Sequence, residues 1–169
     1  MPPHFLWTLL SAWTMTRQIL TALVLVCAAT ITQAKDIVET ATEAGAFNTL
    51  LLAARNTGLL ETLESDGPWT IFAPTDDAFV QLPVEELRDL FKPQNLEKLE
   101  AVIRNHIVAG EVTSRDILGK RLEAVTVDGG TLLIDATKGV TVGGARMVKA
   151  DVIADNGFIH VIDAVIMPE

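Results

Sequence analysis

The sequence predicts an α+β domain, because helical periodicity fills its first half and strand alternation fills its second. Residues 46–56 and 96–106 place apolar side chains at helical spacing. From Gly110 onward, apolar and polar residues alternate between glycine-containing turns, a pattern typical of β-hairpins. No internal repeat or low-complexity linker separates the halves, so we expect one domain.

An apolar leader precedes this domain. Arg17 comes before the apolar residues 19–31, and Ala34 ends a short segment of small and polar residues. This order is typical of a signal peptide, and the apolar run is shorter than the about 20 residues that a membrane span needs. We therefore predict cleavage near Ala34, which leaves residues 35–169 as the mature domain.

Two details of the leader remain open in the sequence. Met15 is the more natural start, since residues 5–13 form a second apolar piece without a basic residue before it, and residues 1–14 then form a start-site extension. The alternative is an uncleaved anchor that uses both apolar pieces. Cys27 lies inside the apolar run after Val26, which does not fit a lipoprotein site.

The charge of the chain restricts its partners. The 169 residues carry a formal net charge of −9 with a pI near 4.7. After cleavage, 12 basic residues face 22 acidic ones, so the mature charge is −10. This balance argues against nucleic acid and against electrostatic docking on anionic lipid, both of which require clustered Lys and Arg. The mature chain also has no cysteine, so we expect it to fold without disulfides.

Residues typical of helix ends define the predicted helices of the first half. We expect a short helix over 36–44, a longer one over 46–56 with Gly58 as its left-handed cap, and a third near 59–63. Further along, Pro83 fits the first position of a helix. Asn95 is expected to cap the helix over 96–106.

A buried strand over 69–73 is the most tightly delimited element. Pro74 should end it, since proline has no N–H for a strand ladder. Thr75 or Asp76 is expected to cap the short helix that follows, and Phe72 and Phe79 to pack the sheet against that helix.

The second half predicts strands and turns. We expect a capped turn at Ser114, a hairpin over 122–134, a second hairpin over 140–153 and a closing strand over 158–166.

Two stretches resemble a known family. Residues 70–79, TIFAPTDDAF, and residues 156–166, NGFIHVIDAVI, resemble the two signature boxes of the fasciclin (FAS1) domain. The resemblance covers residues 35–169 and implies a wedge of β-sheet flanked by short helices, in a secreted single-domain bacterial protein. The signature residues it assigns are Phe72, Ala73, Pro74, Thr75, Asp76, Phe79, Asn156, Gly157, His160 and Asp163.

The resemblance also implies four partner-binding residues. Asn105 and His106 align with the Tyr-His element of fasciclin domains, with asparagine in place of the tyrosine. Asp151 and Val152 align with an Asp-Ile pair that contributes to cell attachment in some relatives. The residues alone give a different interpretation, in which His106 is a core histidine and Asp151 is a solvated carboxylate on an edge strand.

Candidates for catalysis or metal binding are few. The mature chain has only two histidines, His106 and His160, and neither cysteine nor tyrosine. No His-x-x-x-His pair is present, and the acidic residues around Asp155 lack the spacing of a calcium loop. Ser114 has no histidine near it in sequence. We therefore predict no enzyme activity, no metal and no cofactor.

The favoured function is a non-catalytic, secreted adhesion module of the fasciclin type that contacts the extracellular matrix or the envelope. Its partner is expected to be a cell-surface or matrix protein or a polysaccharide. Neither nucleic acid nor stable membrane insertion after cleavage is expected. The alternatives are a periplasmic accessory protein that binds a small ligand or an envelope partner, and an exported hydrolase with an unusual carboxylate pair.

Overall fold

The computed structural model describes residues 35–168, so the predicted leader and the predicted cleavage site after Ala34 lie outside the described residues. Within residues 35–168, no helix has the length and apolar character needed to cross a bilayer. The helices are α1 (Ile37–Ala44), α2 (Asn48–Thr57), α3 (Leu60–Glu64), α4 (Asp76–Val80), α5 (Val84–Leu90), α6 (Leu96–Asn105) and α7 (Ser114–Ile117), with a 3₁₀ turn at Pro93–Asn95. The strands are β1 (Trp69–Pro74), β2 (Ile107–Ala109), β3 (Arg121–Val125), β4 (Thr131–Asp135), β5 (Thr141–Val142), β6 (Ala145–Ala154) and β7 (Gly157–Ile162).

The strands form one mixed sheet in the order β2-β1-β7-β6-β5-β4-β3. Its centre is the parallel pair of β1 and β7, in register from Trp69 opposite Gly157 to Pro74 opposite Ile162. The two signature boxes therefore contribute neighbouring strands, although 76 residues of chain (80–155) separate the boxes. A single bridge between Val108 and Thr126 brings the two ends of the sheet together. The α+β class and the sheet with short helices are as predicted.

The central strands separate two apolar cores, because successive side chains of a strand point to opposite faces. Ile71 of β1 and Ile159 of β7 belong to the core under the helices. Phe72 and Ile162 belong to the core between the sheet's other face and strands β3 to β5. The central strands are thus covered on both faces, which explains their nearly continuous burial.

This arrangement corrects one expectation about the first box and confirms another. Phe72 and Phe79 are both fully buried, but they lie in different cores and do not pack the sheet against α4 as a pair. Pro74 is the last residue of β1, opposite Ile162, so the strand ends at this proline as predicted. Thr75 N then donates to Ile162 O, and the chain turns into α4.

The helix ends are fixed partly by distant residues. Gly58 caps α2 in the left-handed conformation (φ 74°), and the Thr75 side chain accepts a hydrogen bond from Ala78 N, as predicted. Asp76 instead caps α2, where its carboxylate accepts from Thr49 N at 2.7 Å and from the Asn48 side chain at 3.0 Å. Burial acts to raise the pKa of Asp76, but these hydrogen bonds outweigh it and lower the pKa.

Two capping assignments from the sequence were wrong, and Asn95 is the N-cap residue of α6 by position only. Pro83 is the residue before α5, not its first residue. The side chain of Asn95 makes no cap on α6 and donates instead to Asp89 O at 2.7 Å. Thr113, not Ser114, is the N-cap of α7, in a reciprocal capping box with Asp116.

Asn156 of the second box joins three elements. Its Oδ1 accepts from Ile37 N at 2.9 Å at the start of α1, and its Nδ2 donates to Leu63 O at 2.7 Å near the end of α3. Its carbonyl accepts from Trp69 N at the start of β1. A Cβ on the next residue, Gly157, would lie 1.9 Å from Trp69 O, so only glycine allows this close approach.

Candidate partner-binding site

The two elements expected to bind partners lie in one row across the sheet. Phe72 N donates to His106 O, and Phe72 is in register with His160 of β7. The backbone N of Asp151 in β6 donates to Nδ1 of His160 at 3.2 Å. The row therefore runs from His106, the residue before β2, across β1 and β7 to β6. At a strand spacing of about 4.8 Å its ends are about 14 Å apart.

Asp151 lies at an irregularity of β6. The register with β7 shifts on either side of Lys149, and Asp151 has φ 53°, a left-handed conformation that few non-glycine residues adopt. Its carboxylate accepts from Ser114 N at 2.8 Å and from Ser114 Oγ. The hydrogen bond from the Ser114 hydroxyl is the main cause of a lowered Asp151 pKa. Asp151 thus holds the start of α7 against β6.

The ring of His160 is fully buried, and both of its nitrogens are hydrogen-bonded. Nε2 donates to Val112 O at 2.6 Å, and Nδ1 accepts from Asp151 N. The ring also stacks on Phe72, with centroids 5.4 Å apart and an interplanar angle of 24°. In these contacts Nε2 is the donor and Nδ1 is the acceptor.

The segment Gly110 to Ser114 is held across this row by polar contacts. Thr70 Oγ1 donates to Gly110 O at 2.6 Å and accepts from Val112 N at 2.9 Å. Together with the His160 and Asp151 contacts, these bonds fasten the segment to β1, β7 and β6.

The fold brings together a serine, an aspartate and a histidine that are far apart in sequence. Ser114 contacts Asp151, and Asp151 contacts His160 through its backbone. A hydrolytic triad needs the histidine between the serine and the carboxylate, so that the ring can take the hydroxyl proton. Here the serine donates directly to the carboxylate, and both ring nitrogens face backbone groups. This order of contacts does not activate Ser114 as a nucleophile.

His106 and Asn105, at the other end of the row, are buried. Nδ1 of His106 donates to Val102 O at 2.6 Å, and Nε2 accepts from Ile166 N at 3.0 Å. The Asn105 amide reaches Ile166 O at 3.5 Å. The pair joins α6 to the segment after β7. Burial lowers the His106 pKa from 6.5 to about 4, against the opposing effect of the hydrogen bond to Val102 O.

The interpretation of Asp151 as a solvated edge carboxylate was wrong, because its oxygens are occupied by Ser114 and the residue is only partly exposed. Val152 is partly buried and packs on the helix-side core. Partner binding by Asn105, His106, Asp151 and Val152 stays a prediction.

Ile153 is the exposed residue that the sequence reasoning missed. Its side chain is 73% exposed, on the strand that carries Asp151 and Val152, and it stands opposite Phe158 of β7. The irregularity at Asp151 changes which side chains of β6 face outward, so simple alternation does not identify Ile153. Within residues 35–168, no group of three or more His, Cys, Asp or Glu residues is placed to hold a metal ion.

Comparison with known proteins agrees with this architecture. The model of the Fasciclin domain family matches residues 45–168. Among solved structures, the FAS1 domain pair from the insect cell adhesion molecule fasciclin I superposes with a TM-score of 0.56 at 21% identity, over 73% of this chain and 46% of that chain. The fold is therefore the FAS1 fold, and the chain belongs to the fasciclin domain family.

Two relatives illustrate the range of the family. Protein sll1735 of Synechocystis sp. is 42% identical over 133 residues, which cover 78% of this chain and 97% of that protein. Human periostin is 34% identical over 140 residues, which cover 82% of this chain but only 16% of periostin. The chain thus resembles both a protein of domain size and a small part of a much longer one.

Proposed function

We propose that the protein is an exported, non-catalytic adhesion module that contacts a cell-surface or matrix partner. Membership of the fasciclin domain family supports this function, as does the fold shared with a cell adhesion molecule. The proposal that the module is non-catalytic rests on the hydrogen bonds of the two histidines within residues 35–168. All four of their ring nitrogens are hydrogen-bonded to backbone groups, so neither ring is available to exchange protons with a substrate.

The proposed contact surface is the outer half of β6, centred on Ile153. Beyond Met147, β6 is paired with β7 but has no pairing to β5. Ile153 is the most exposed apolar side chain of this strand, and Asp151 fixes the backbone beside it. An exposed apolar residue on a fixed backbone is suited to act as a contact anchor, since little conformational entropy is lost on binding.

Attachment to cells or matrix is expected to depend on Ile153. The substitution Ile153→Ser should lower attachment of the purified protein about tenfold, because it removes an apolar anchor from the contact. The measurement is attachment to cell-surface and matrix fractions, together with the midpoint of thermal unfolding.

Val125→Ser is the matched control, since Val125 is also an exposed apolar residue of a strand (66% exposed) but lies on β3, outside the proposed surface. Equal loss of attachment in both variants would place the contact elsewhere. Attachment by neither the wild type nor any variant would overturn the adhesion proposal itself.

Export is expected to remove the leader. Arg17, the apolar residues 19–31 and Ala34 support cleavage just before Lys35. N-terminal sequencing of the exported protein should therefore begin at about Lys35. Recovery of an intact protein beginning at Met1 or Met15 in a membrane fraction would instead show an uncleaved anchor.

A further inference from the structure

A groove lies beside strand β5, between the turn that joins β4 to β5 and the start of β6. It has a volume of about 400 Å³, within the range of roughly 300–1,000 Å³ that is usual for ligand sites. We call it the β5 groove. The residues that line it include Thr137, Lys138, Val140, Thr141, Arg146 and Met147.

Two cations, Lys138 and Arg146, and one carboxylate, Asp135, line the β5 groove, so its lining is net positive on an acidic protein. Residues 136–150 contain Lys138, Arg146 and Lys149 and no acidic residue. The ion pairs found within residues 35–168 all lie between residues 35 and 104, so none of them involves these three cations. Lys138 and Arg146 therefore line the groove without a carboxylate within ion-pair distance.

The two carboxylates near the β5 groove accept hydrogen bonds from Thr137 and from the backbone of Arg146. Asp135, which also lines the groove, accepts from Thr137 N at 3.0 Å and Thr137 Oγ1 at 2.7 Å through one carboxylate oxygen. Asp163 of the second box accepts from the backbone N of Arg146 at 2.8 Å. That bond fixes the backbone of Arg146 and leaves its guanidinium outside any ion pair found within residues 35–168.

The remaining walls suit a sugar. The hydroxyl groups of Thr137 and Thr141 donate to Asp135, so their oxygens can act as acceptors for sugar hydroxyls. Val140 and Met147 supply apolar surface for the C–H faces of a sugar ring. No aromatic side chain lines the groove to stack a nucleobase. The negative charge of the whole chain also opposes a densely charged polymer such as nucleic acid.

We propose that the β5 groove binds an acidic polysaccharide, with Lys138 and Arg146 pairing with sugar carboxylates. This rests on the proposed adhesion function and assigns it a ligand class. Lys138 and Arg146 can each form a charge-assisted hydrogen bond with a sugar carboxylate.

The test uses full-length protein and polygalacturonate, with carboxyl-reduced polygalacturonate and single-stranded DNA as comparisons. The double substitution Lys138→Gln with Arg146→Gln should weaken binding to polygalacturonate by about tenfold or more, since it removes two charge-assisted hydrogen bonds. It should also reduce the dependence of affinity on salt. The matched control is Arg55→Gln with Lys98→Gln, two exposed cations of the helical half that are in none of those ion pairs.

Weaker binding only in the groove variant, with little affinity for the reduced polymer, would support the proposal. Equal binding to the reduced polymer, tighter binding to DNA, or equal loss in both double variants would overturn it. Attachment to matrix without any binding to polygalacturonate would overturn the groove proposal alone. Failure of the wild-type protein to attach to matrix would overturn the adhesion function.

Discussion

Replacing Phe72 with alanine is expected to lower the free energy of unfolding by about 3–5 kcal/mol, the range typical of a fully buried phenylalanine. Phe72 has 0% exposure, lies in the core between the sheet and strands β3 to β5, and stacks on His160. Its removal leaves a cavity in a layer built from both signature boxes. Total stabilities are usually about 5–15 kcal/mol, so this loss is a large share. Chemical denaturation of wild type and variant measures it.

Phe158→Ala is the matched control for Phe72→Ala. Phe158 is two residues before His160 on the same strand, but it is only partly buried. We therefore expect a clearly smaller loss for Phe158→Ala. Equal losses in the two variants would show that burial in the Phe72 layer is not what stabilises the sheet.

Acid is expected to destabilise the domain through His106. Its pKa is lowered to about 4 in the folded protein against 6.5 in the unfolded chain, so the unfolded chain takes up the proton first as the pH falls. The stabilisation is complete above pH 6.5 and is lost as the pH decreases toward 4, by about 3 kcal/mol in total. Protonation of Nε2 would also remove the acceptor for Ile166 N.

His106→Gln isolates this effect. The variant should be less stable at neutral pH, but its free energy of unfolding should change much less between pH 6.5 and pH 4 than that of the wild type. Asp76 and Asp151 have pKa values below 3.8, so their contributions are lost at lower pH than this window. An identical slope in wild type and variant across the window would contradict the assignment to His106.

The sequence was sufficient to identify local ends and faces. Gly58 as a left-handed cap, Thr75 as the cap of α4 and the helical face of α6 follow from side-chain chemistry within a few residues. The closing strand was predicted too long, since β7 ends at Ile162. The apolar sequence continues past Ile162 because Ile166 is buried, and its backbone N donates to His106 rather than to a strand. An apolar sequence indicates burial but does not show whether the backbone pairs with another strand.

The candidate site was only partly predictable. The sequence indicated His106, Asp151 and His160 as the residues to examine, but not their hydrogen-bond partners. It also did not indicate Ile153, because the irregularity at Asp151 alters the alternation of β6. An aspartate with φ 53° leaves no trace in composition or periodicity.

By itself the sequence determined the α+β class, most element positions and the resemblance of residues 70–79 and 156–166 to the two fasciclin boxes. Tertiary structure alone decided that these boxes pair in parallel, that Asp76 caps α2 and that Asp151 holds Ser114. The physical reason is the distance along the chain over which each kind of interaction acts. Periodicity and capping act over a few residues, whereas the partner of a polar side chain in another element depends on strand order and register, which the whole chain sets together.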